Sequence, residues 1–241
     1  MKGLSGCLGR SLIILLSFGA IIWGLWSWFA PTAVVRYRLD VTVEVDGEPV
    51  TGSVVQELTI STWPFHLPGN ARVGYRIKGQ ALVLDLPGRG TLFVLMELPT
   101  EDGSFPTSNW GERFRSLVNR SCDLKRNGTN FAAYVRKFRS LSGSCNVPRQ
   151  YIPLMVQFED LADQTSVERV YPDDLEAAFG SNIKFINASI TFTDAPITTG
   201  IGQHLPWLTN YIERYLGEYS RTYPKPFYRS LMYGSFRKNS I

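Results

Sequence analysis

The sequence predicts an α+β protein: an N-terminal transmembrane helix, an antiparallel β-meander of sandwich-like character, a disulfide-clipped helical hairpin and a second αβ segment. Three observations predict this class. The run Leu12 to Ala30, LIILLSFGAIIWGLWSWFA, carries no charge. From Val35 to Val45 apolar and polar residues alternate without error, the period of a strand with one wet face. After Pro106 the apolar spacing changes from two to three or four, the period of amphipathic helices.

The apolar run is taken first. At about 1.5 Å per residue it spans roughly 28 Å, close to the ~30 Å hydrocarbon thickness of a bilayer. A cleavable signal would need small residues near its end, and Trp28 stands where one is required. A lipoprotein cysteine should follow the apolar run, whereas Cys7 in Leu4-Ser5-Gly6-Cys7 precedes it. Trp23, Trp26, Trp28 and Phe29 gather at one end, as rings do at a membrane–water interface. The expectation is a retained anchor. Lys2 and Arg10 nearly balance Arg36 and Arg38 across it, so orientation rests on the short basic head and long following domain, which place the N-terminus inside and the domain outside.

Strands follow. Val35–Val45, the turn Asp46-Gly47-Glu48-Pro49 and Ser53–Ile60 form a hairpin. A loop containing Pro64, Pro68 and Gly69 leads to strands at Val73–Ile77, Ala81–Leu86 and Leu92–Leu98, separated by Lys78-Gly79 and Pro87-Gly88-Arg89-Gly90. Leu92–Met96 is apolar on both faces, as in a covered central strand. These five strands make the meander, ending at Pro99.

Asn109 is placed to cap a helix bearing Trp110, Phe114, Leu117 and Val118 on one face, and Asn130 to Leu141 reads as a second, with Phe131, Tyr134, Val135 and Phe138. Strands are expected at Leu154–Phe158 and Ser166–Val170. A short helix opens at Pro172-Asp173-Asp174-Leu175-Glu176 and closes at Phe179-Gly180. A further strand runs Ile183–Phe192 and a further helix from about Leu205 to Leu216. The last residues, aromatic and basic without a period, read as an extended tail. The resulting division is 1–11 cytosolic head, 12–30 anchor, 35–99 β-meander, 106–216 hairpin plus αβ segment packed with the meander, and 217–241 aromatic-basic tail.

Composition bounds the class: 44% hydrophobic and 13% aromatic lie well above the disordered regime. Net charge is +4 with a pI near 9.0, unevenly spread. Between 109 and 139 Arg113, Arg115, Arg120, Lys125, Arg126, Arg136, Lys137 and Arg139 face only Glu112 and Asp123. Cys122 and Cys145, in the exported part, are expected to form a disulfide, whereas Cys7 has no evident partner.

Several segments together, Gly79-Gln80-Ala81 with Val83 and Asp85, Tyr151-x-Pro-Leu154-x-Val156-x-Phe158 with Asp160, and Thr193-Asp194-Ala195-Pro196-Ile197-Thr198-Thr199-Gly200-Ile201 through Leu205-Pro206-Trp207-Leu208, carry a likeness. In these the chain resembles a group of bacterial envelope proteins to which no activity is attached. The resemblance implies a bacterial source and no catalytic residue. With the anchor it implies a single-pass inner-membrane protein with its N-terminus cytoplasmic and its domain periplasmic. It also empties the N-x-S/T triplets at Asn119, Asn127 and Asn187 of meaning.

Chemistry-bearing constellations are sparse. His66 and His204 each stand in a His-Leu-Pro triplet, and two histidines without helical spacing are a weak metal signal even with Asp194 nearby. No G-x-S-x-G elbow occurs, and Gly88-Arg89-Gly90 precedes a strand, the wrong context for cradling phosphate. Glu159, Asp160, Asp163, Asp173, Asp174 and Glu176 read as turn and helix-start charges. No cofactor and no metal is expected, and nucleic acid is excluded as a partner outside the membrane. The expected function is a non-catalytic, membrane-anchored domain that binds a protein partner or supports an envelope assembly. Its binding residues are taken as His204 and Trp207 in the Thr198–Leu208 loop, with the basic faces of Arg113, Arg115, Arg136, Lys137 and Arg139 meeting lipid headgroups, an acidic protein, an acidic glycan or solvent. The rival is an envelope enzyme or ligand-binding domain working through His66, Asp194 and His204 on a cell-wall or lipid component.

Overall fold

In a computed structural model describing residues 4–29, 31–62, 73–99, 117–124, 130–209, 216, 227 and 231–238, the first hairpin is longer than its alternation predicts. Strand β1 covers Thr32–Val45 and β2 covers Glu48–Thr62. Asp46 and Gly47 both take positive φ, 52° and 90°, the pattern of a type I′ turn whose twist matches the strands it joins. Strand β3 is Val73–Gln80, β4 Leu82–Leu86 and β5 Gly90–Val94.

The remaining strands are β6 (Ser144–Asn146), β7 (Met155–Phe158), β8 (Val167–Val170), β9 (Ile183–Phe192) and β10 (Arg237–Lys238). They form two antiparallel sheets. One has six strands in the order β10-β3-β2-β1-β9-β6, the other four in the order β4-β5-β7-β8. The expected five-strand meander is therefore divided between sheets. Lys78-Gly79 does not end β3. Gly79 continues the strand at φ +147°, where a side chain would press on Gln56, and the changeover comes at Ala81, whose amide donates to the Phe236 carbonyl at 2.7 Å.

The helices are α1 (Leu4–Phe29), α2 (Phe131–Phe138), α3 (Leu175–Phe179) and α4 (Tyr233–Phe236), with a further helical segment over 117–121. The chain divides into two compact units. The first holds α1, the adjoining ends of β1, β2 and β3, and α2. Within it, Asn130 caps α2 by accepting from the Ala133 amide at 2.9 Å, and Tyr134, Val135 and Phe138 form the buried face, as the sequence predicts. The Arg139 guanidinium donates to the Thr32 carbonyl from Nε at 3.0 Å and Nη2 at 2.6 Å.

Helix α1 is 26 residues long, and the described side chains on it run from Ile13 to Leu25. Among the described residues no helix is long and apolar enough to cross a membrane. The spanning segment read over 12–30 is thus not established by the structure, since the side chains at both of its ends lie outside those described.

The second unit holds both sheets and their core. Its buried stripe on β1 is Val35, Tyr37, Leu39, Val41, Val43 and Val45. On β2, Gly52 is buried against the other sheet: a Cβ there would lie 2.9 Å from Leu82 Cδ2 and 3.2 Å from Leu84 Cβ. A glycine at this position lets β2 and β4 approach closely. Leu92 through Met96 are all buried, as their two-sided apolarity predicts, and past β5 the chain continues as a bridge. The Leu95 amide donates to the Leu154 carbonyl, the Leu154 amide to Glu97 and the Met96 amide to Ser235.

Three expectations are corrected here. The segment read as a helix from about Leu205 to Leu216 begins instead as a 3-10 turn at Pro206–Thr209, preceded by another at Ile201–Gln203, and 210–215 lie outside the described residues. The tail is no loose appendage over its described part: Leu231, Ser235 and Phe236 are buried, and β10 pairs Arg237 with Gln80 and Lys238 with Gly79. The disulfide exists, with Cα atoms 5.3 Å apart, but Cys145 stands on β6. It fastens the end of the 117–121 helical segment to the edge strand of the larger sheet, and α2 belongs to the other unit. The Asn109 cap and the Trp110–Phe114 part of the first basic helix lie outside the described residues.

Candidate functional site

The segment after β9 is laid down by hydrogen bonds that the threonines of its sequence supply. The Thr193 amide donates to the Arg36 carbonyl at 3.1 Å, and Thr193 Oγ1 accepts from the Ala195 amide at 3.1 Å, turning the chain off the sheet. Thr198 then docks on β2. Its amide donates to the Val55 carbonyl at 3.1 Å, and its Oγ1 accepts from the Val55 amide at 2.8 Å. One residue thus satisfies both backbone groups of Val55.

Beneath Thr198 runs a buried polar chain. The Tyr37 hydroxyl donates to Gln56 Oε1 at 2.8 Å, Gln56 Nε2 donates to the Gln80 carbonyl at 2.8 Å, and Gln80 Oε1 accepts from the Ile201 amide at 3.0 Å. Gln56 and Gln80 are buried, and both are amides, which satisfy donor and acceptor needs without charge. Burial pushes the Tyr37 phenol well above its ordinary pKa. This chain fixes where Ile201–Gln203 begins and so where Thr198, Thr199 and Gly200 sit.

Those three residues form a ridge between two adjoining clefts. One, about 210 Å³, has Ser53, Val83, Gln80 and His204 in its walls. The other, about 410 Å³, is bounded by Arg36, Lys78 and Arg237 together with Pro196 and the ridge itself. A third cleft, about 440 Å³ and separate from the ridge, is lined by Glu44, Asp46, Glu176 and Lys184, of which Lys184 and Glu44 pair at 2.6 Å.

The residues singled out in the sequence distribute as follows. His204 is half-buried in the smaller cleft, and Asp194 lines neither cleft beside the ridge. His66, the third member of the expected group, lies outside the described residues. Among the described residues no group of three His, Cys, Asp or Glu could hold a metal ion. Trp207 is half-buried: its indole N–H donates to the Leu161 carbonyl at 3.0 Å, and its rings meet Phe158, Tyr233 and Phe236 at centroid distances of 5.5–5.8 Å. It serves the core as much as the surface. Arg136 is half-buried on α2 and Lys137 exposed beside it. Arg139 is committed to the Thr32 carbonyl. Arg113 and Arg115 lie outside the described residues. Arg120, counted in the same basic run, stacks on the Tyr151 ring with its Cζ 4.3 Å from the centroid and hydrogen-bonds the Tyr151 hydroxyl.

Acidic residues read as turn charges behave so locally. Asp163 accepts from the amide and hydroxyl of Thr165 at 2.8 and 2.7 Å, and that hydroxyl bond holds its pKa below the usual carboxylate value. Asp174 caps α3 through the Ala177 amide. Sequence reasoning did not anticipate the convergence of Arg36, Lys78 and Arg237. The first two stand on outward positions of β1 and β3, and the third reaches them only because two residues of tail pair with β3. No family model, no curated protein and no solved structure matches this chain.

Proposed function

We propose that this chain is a non-catalytic, membrane-anchored domain of the bacterial envelope that binds a protein partner or supports an envelope assembly. The observation that carries the reading is the bareness of α1. Ile13, Ile14, Leu15 and Leu16 are each 64–69% exposed, and Trp23 is 74% exposed. Four consecutive helical positions point around the whole circumference, so no face of this stretch is kept for a protein core. Bare apolar side chains in such density call for lipid or another apolar surface. The Cys122–Cys145 bond adds support, because such bonds persist in oxidising compartments. Along the ridge loop, Thr199, Gly200, Gln203 and Pro206 face outward and offer the partner a contact surface.

Membrane fractionation tests the anchor. The full chain should stay in the pellet through an alkaline carbonate wash, and protease added outside the inner membrane should digest the domain. Release by carbonate, or a mature N-terminus near Pro31 by mass spectrometry, would remove the anchor; protection from external protease would reverse the orientation. Crosslinking in intact cells through a photoreactive residue at position 203 should capture a protein if this loop is the contact surface.

A second reading, a ligand-binding domain, is favoured by one specific observation, the cationic walls of the 410 Å³ cleft.

A further inference from the structure

We infer that the cleft walled by Arg36, Lys78, Arg237 and the Thr198–Gly200 ridge binds a phosphate-class oxyanion. The inference goes beyond the envelope reading and does not depend on it.

Charge is the first argument. Among the described residues three cations line the cleft and no carboxylate does. Arg36 is partly neutralised: its Nε donates to Glu57 Oε2 at 2.8 Å, and its Nη1 lies 3.5 Å from the Asp194 carbonyl. Lys78 and Arg237 have no ion-pair partner among the described residues. Two positive charges unpaired among the described residues therefore share one concave wall. A carboxylate would balance one of them, whereas a phosphate monoester near neutral pH balances both.

The second argument is how Arg237 is held. The pairing of β10 with β3 sets Arg237 opposite Gln80 and Lys238 opposite Gly79, so the backbone places this cation beside Lys78 whatever the charges prefer. Its side chain is half-buried, and its Nε–H is sealed from solvent with no acceptor among the described residues. Buried N–H groups are nearly always paired, so an arginine left with one unpaired is a group whose surroundings are incomplete. An oxyanion on its outer nitrogens offsets the charge that burial leaves poorly solvated.

Donor geometry is the third. Thr198 Oγ1 already accepts from the Val55 amide, which frees its hydroxyl hydrogen to donate, and Thr199 stands exposed next to it. The polar chain from Tyr37 through Gln56 and Gln80 fixes this ridge in place before any ligand arrives. The volume exceeds what a bare phosphate needs, and the adjoining 210 Å³ cleft shares Gln80 and the ridge, so an esterified phosphate fits: a lipid headgroup or a soluble phosphorylated compound.

Calorimetric titration of the full chain in neutral detergent with inorganic phosphate, and flotation with vesicles containing phosphatidic acid, whose headgroup is a phosphate monoester, or phosphatidylcholine alone, test the inference. Saturable binding of phosphate is expected, weakening as salt rises. Lys78→Gln and Arg237→Gln should each weaken it about tenfold, and Lys184→Gln, in the separate cleft, should leave it unchanged. Lys78 is exposed, so its variant carries the test if Arg237→Gln does not fold. Flotation with phosphatidic acid but not with phosphatidylcholine, lost in Lys78→Gln, points to a headgroup; phosphate binding without selective flotation points to a soluble ester. Absence of binding to both probes, or binding that is equal in wild type and Lys78→Gln, overturns the inference.

Discussion

The Arg89 guanidinium joins the Asp46 carboxylate through Nη2, 2.7 Å from Oδ1 and 2.9 Å from Oδ2, while its Nη1 donates to the carbonyls of Phe179 at 3.0 Å and Ser181 at 2.6 Å. One side chain from the β4–β5 turn thus holds the β1–β2 turn of the other sheet and the end of α3. Only a planar group with several donors reaches three such partners at once.

Arg89→Ala should lower stability by about 1 kcal/mol, chiefly through the partly buried Phe179 carbonyl left unpaired, the exposed Ser181 carbonyl turning to water. Asp46→Asn should cost under about 0.5 kcal/mol, because the Asp46 side chain is 57% exposed and asparagine tolerates its positive φ. Arg89→Lys should recover less than half of the loss. Urea unfolding of the three variants checks the order, and an Asp46→Asn cost equal to that of Arg89→Ala would show that the ion pair, not the carbonyl bonds, does the holding.

The buried Tyr37 phenol makes stability fall at alkaline pH. Its folded pKa is raised above the unfolded value of about 10, so its contribution is complete below pH ~10 and is lost as pH rises from there toward the folded value. Tyr37→Phe should cost about 1–2 kcal/mol at neutral pH by leaving Gln56 Oε1 unpaired. The two proteins should then converge between pH ~10 and ~11. Unfolding curves that remain parallel across that range would contradict this account.

The Cys122–Cys145 bond closes a separation of 23 residues and anchors the 117–121 segment to β6. In the chain-entropy model its removal costs about 3 kcal/mol. The double Cys→Ser variant should therefore unfold at lower urea, with protection from hydrogen exchange lost first around Leu117, Val118 and β6. An unchanged midpoint would mean that the bond is a passenger.

Trp207→Ala should destabilise by about 3 kcal/mol, since it removes ring contacts with three aromatic residues and orphans the Leu161 carbonyl. Trp207→Phe should cost less, keeping most of the rings in contact while losing the N–H bond. Near-ultraviolet circular dichroism and thermal melts report both. A fully stable Trp207→Ala that lost only a binding partner would instead make this residue a surface anchor.

The local elements were legible because each rests on short-range rules. Asp46-Gly47 wrote the hairpin, Asn130 and Asp174 wrote their caps, and strict alternation wrote β1. What was not legible depends on distant partners. Nothing local in Ala81 says that its amide will meet Phe236 rather than a neighbouring strand, yet that bond marks where the meander changes sheets. Arg237-Lys238 is too short to have a period, so its pairing with β3 left no trace in the pattern. The cationic cleft was hidden for the same reason: its members lie on β1, β3 and β10, and no spacing in the chain relates them.

The union of β10 with β3 also sets an order of events as the chain is made. The Ala81 and Met96 amides find their acceptors only on Phe236 and Ser235, and the Leu95 amide finds Leu154. A growing chain that has passed residue 99 holds half a core with open hydrogen-bond sites, and must keep them from other chains until residue 238 has emerged. Such long waits favour holding factors during synthesis. They also mark the C-terminal residues as a poor place for a truncation, where a few missing positions would leave an open seam along β3.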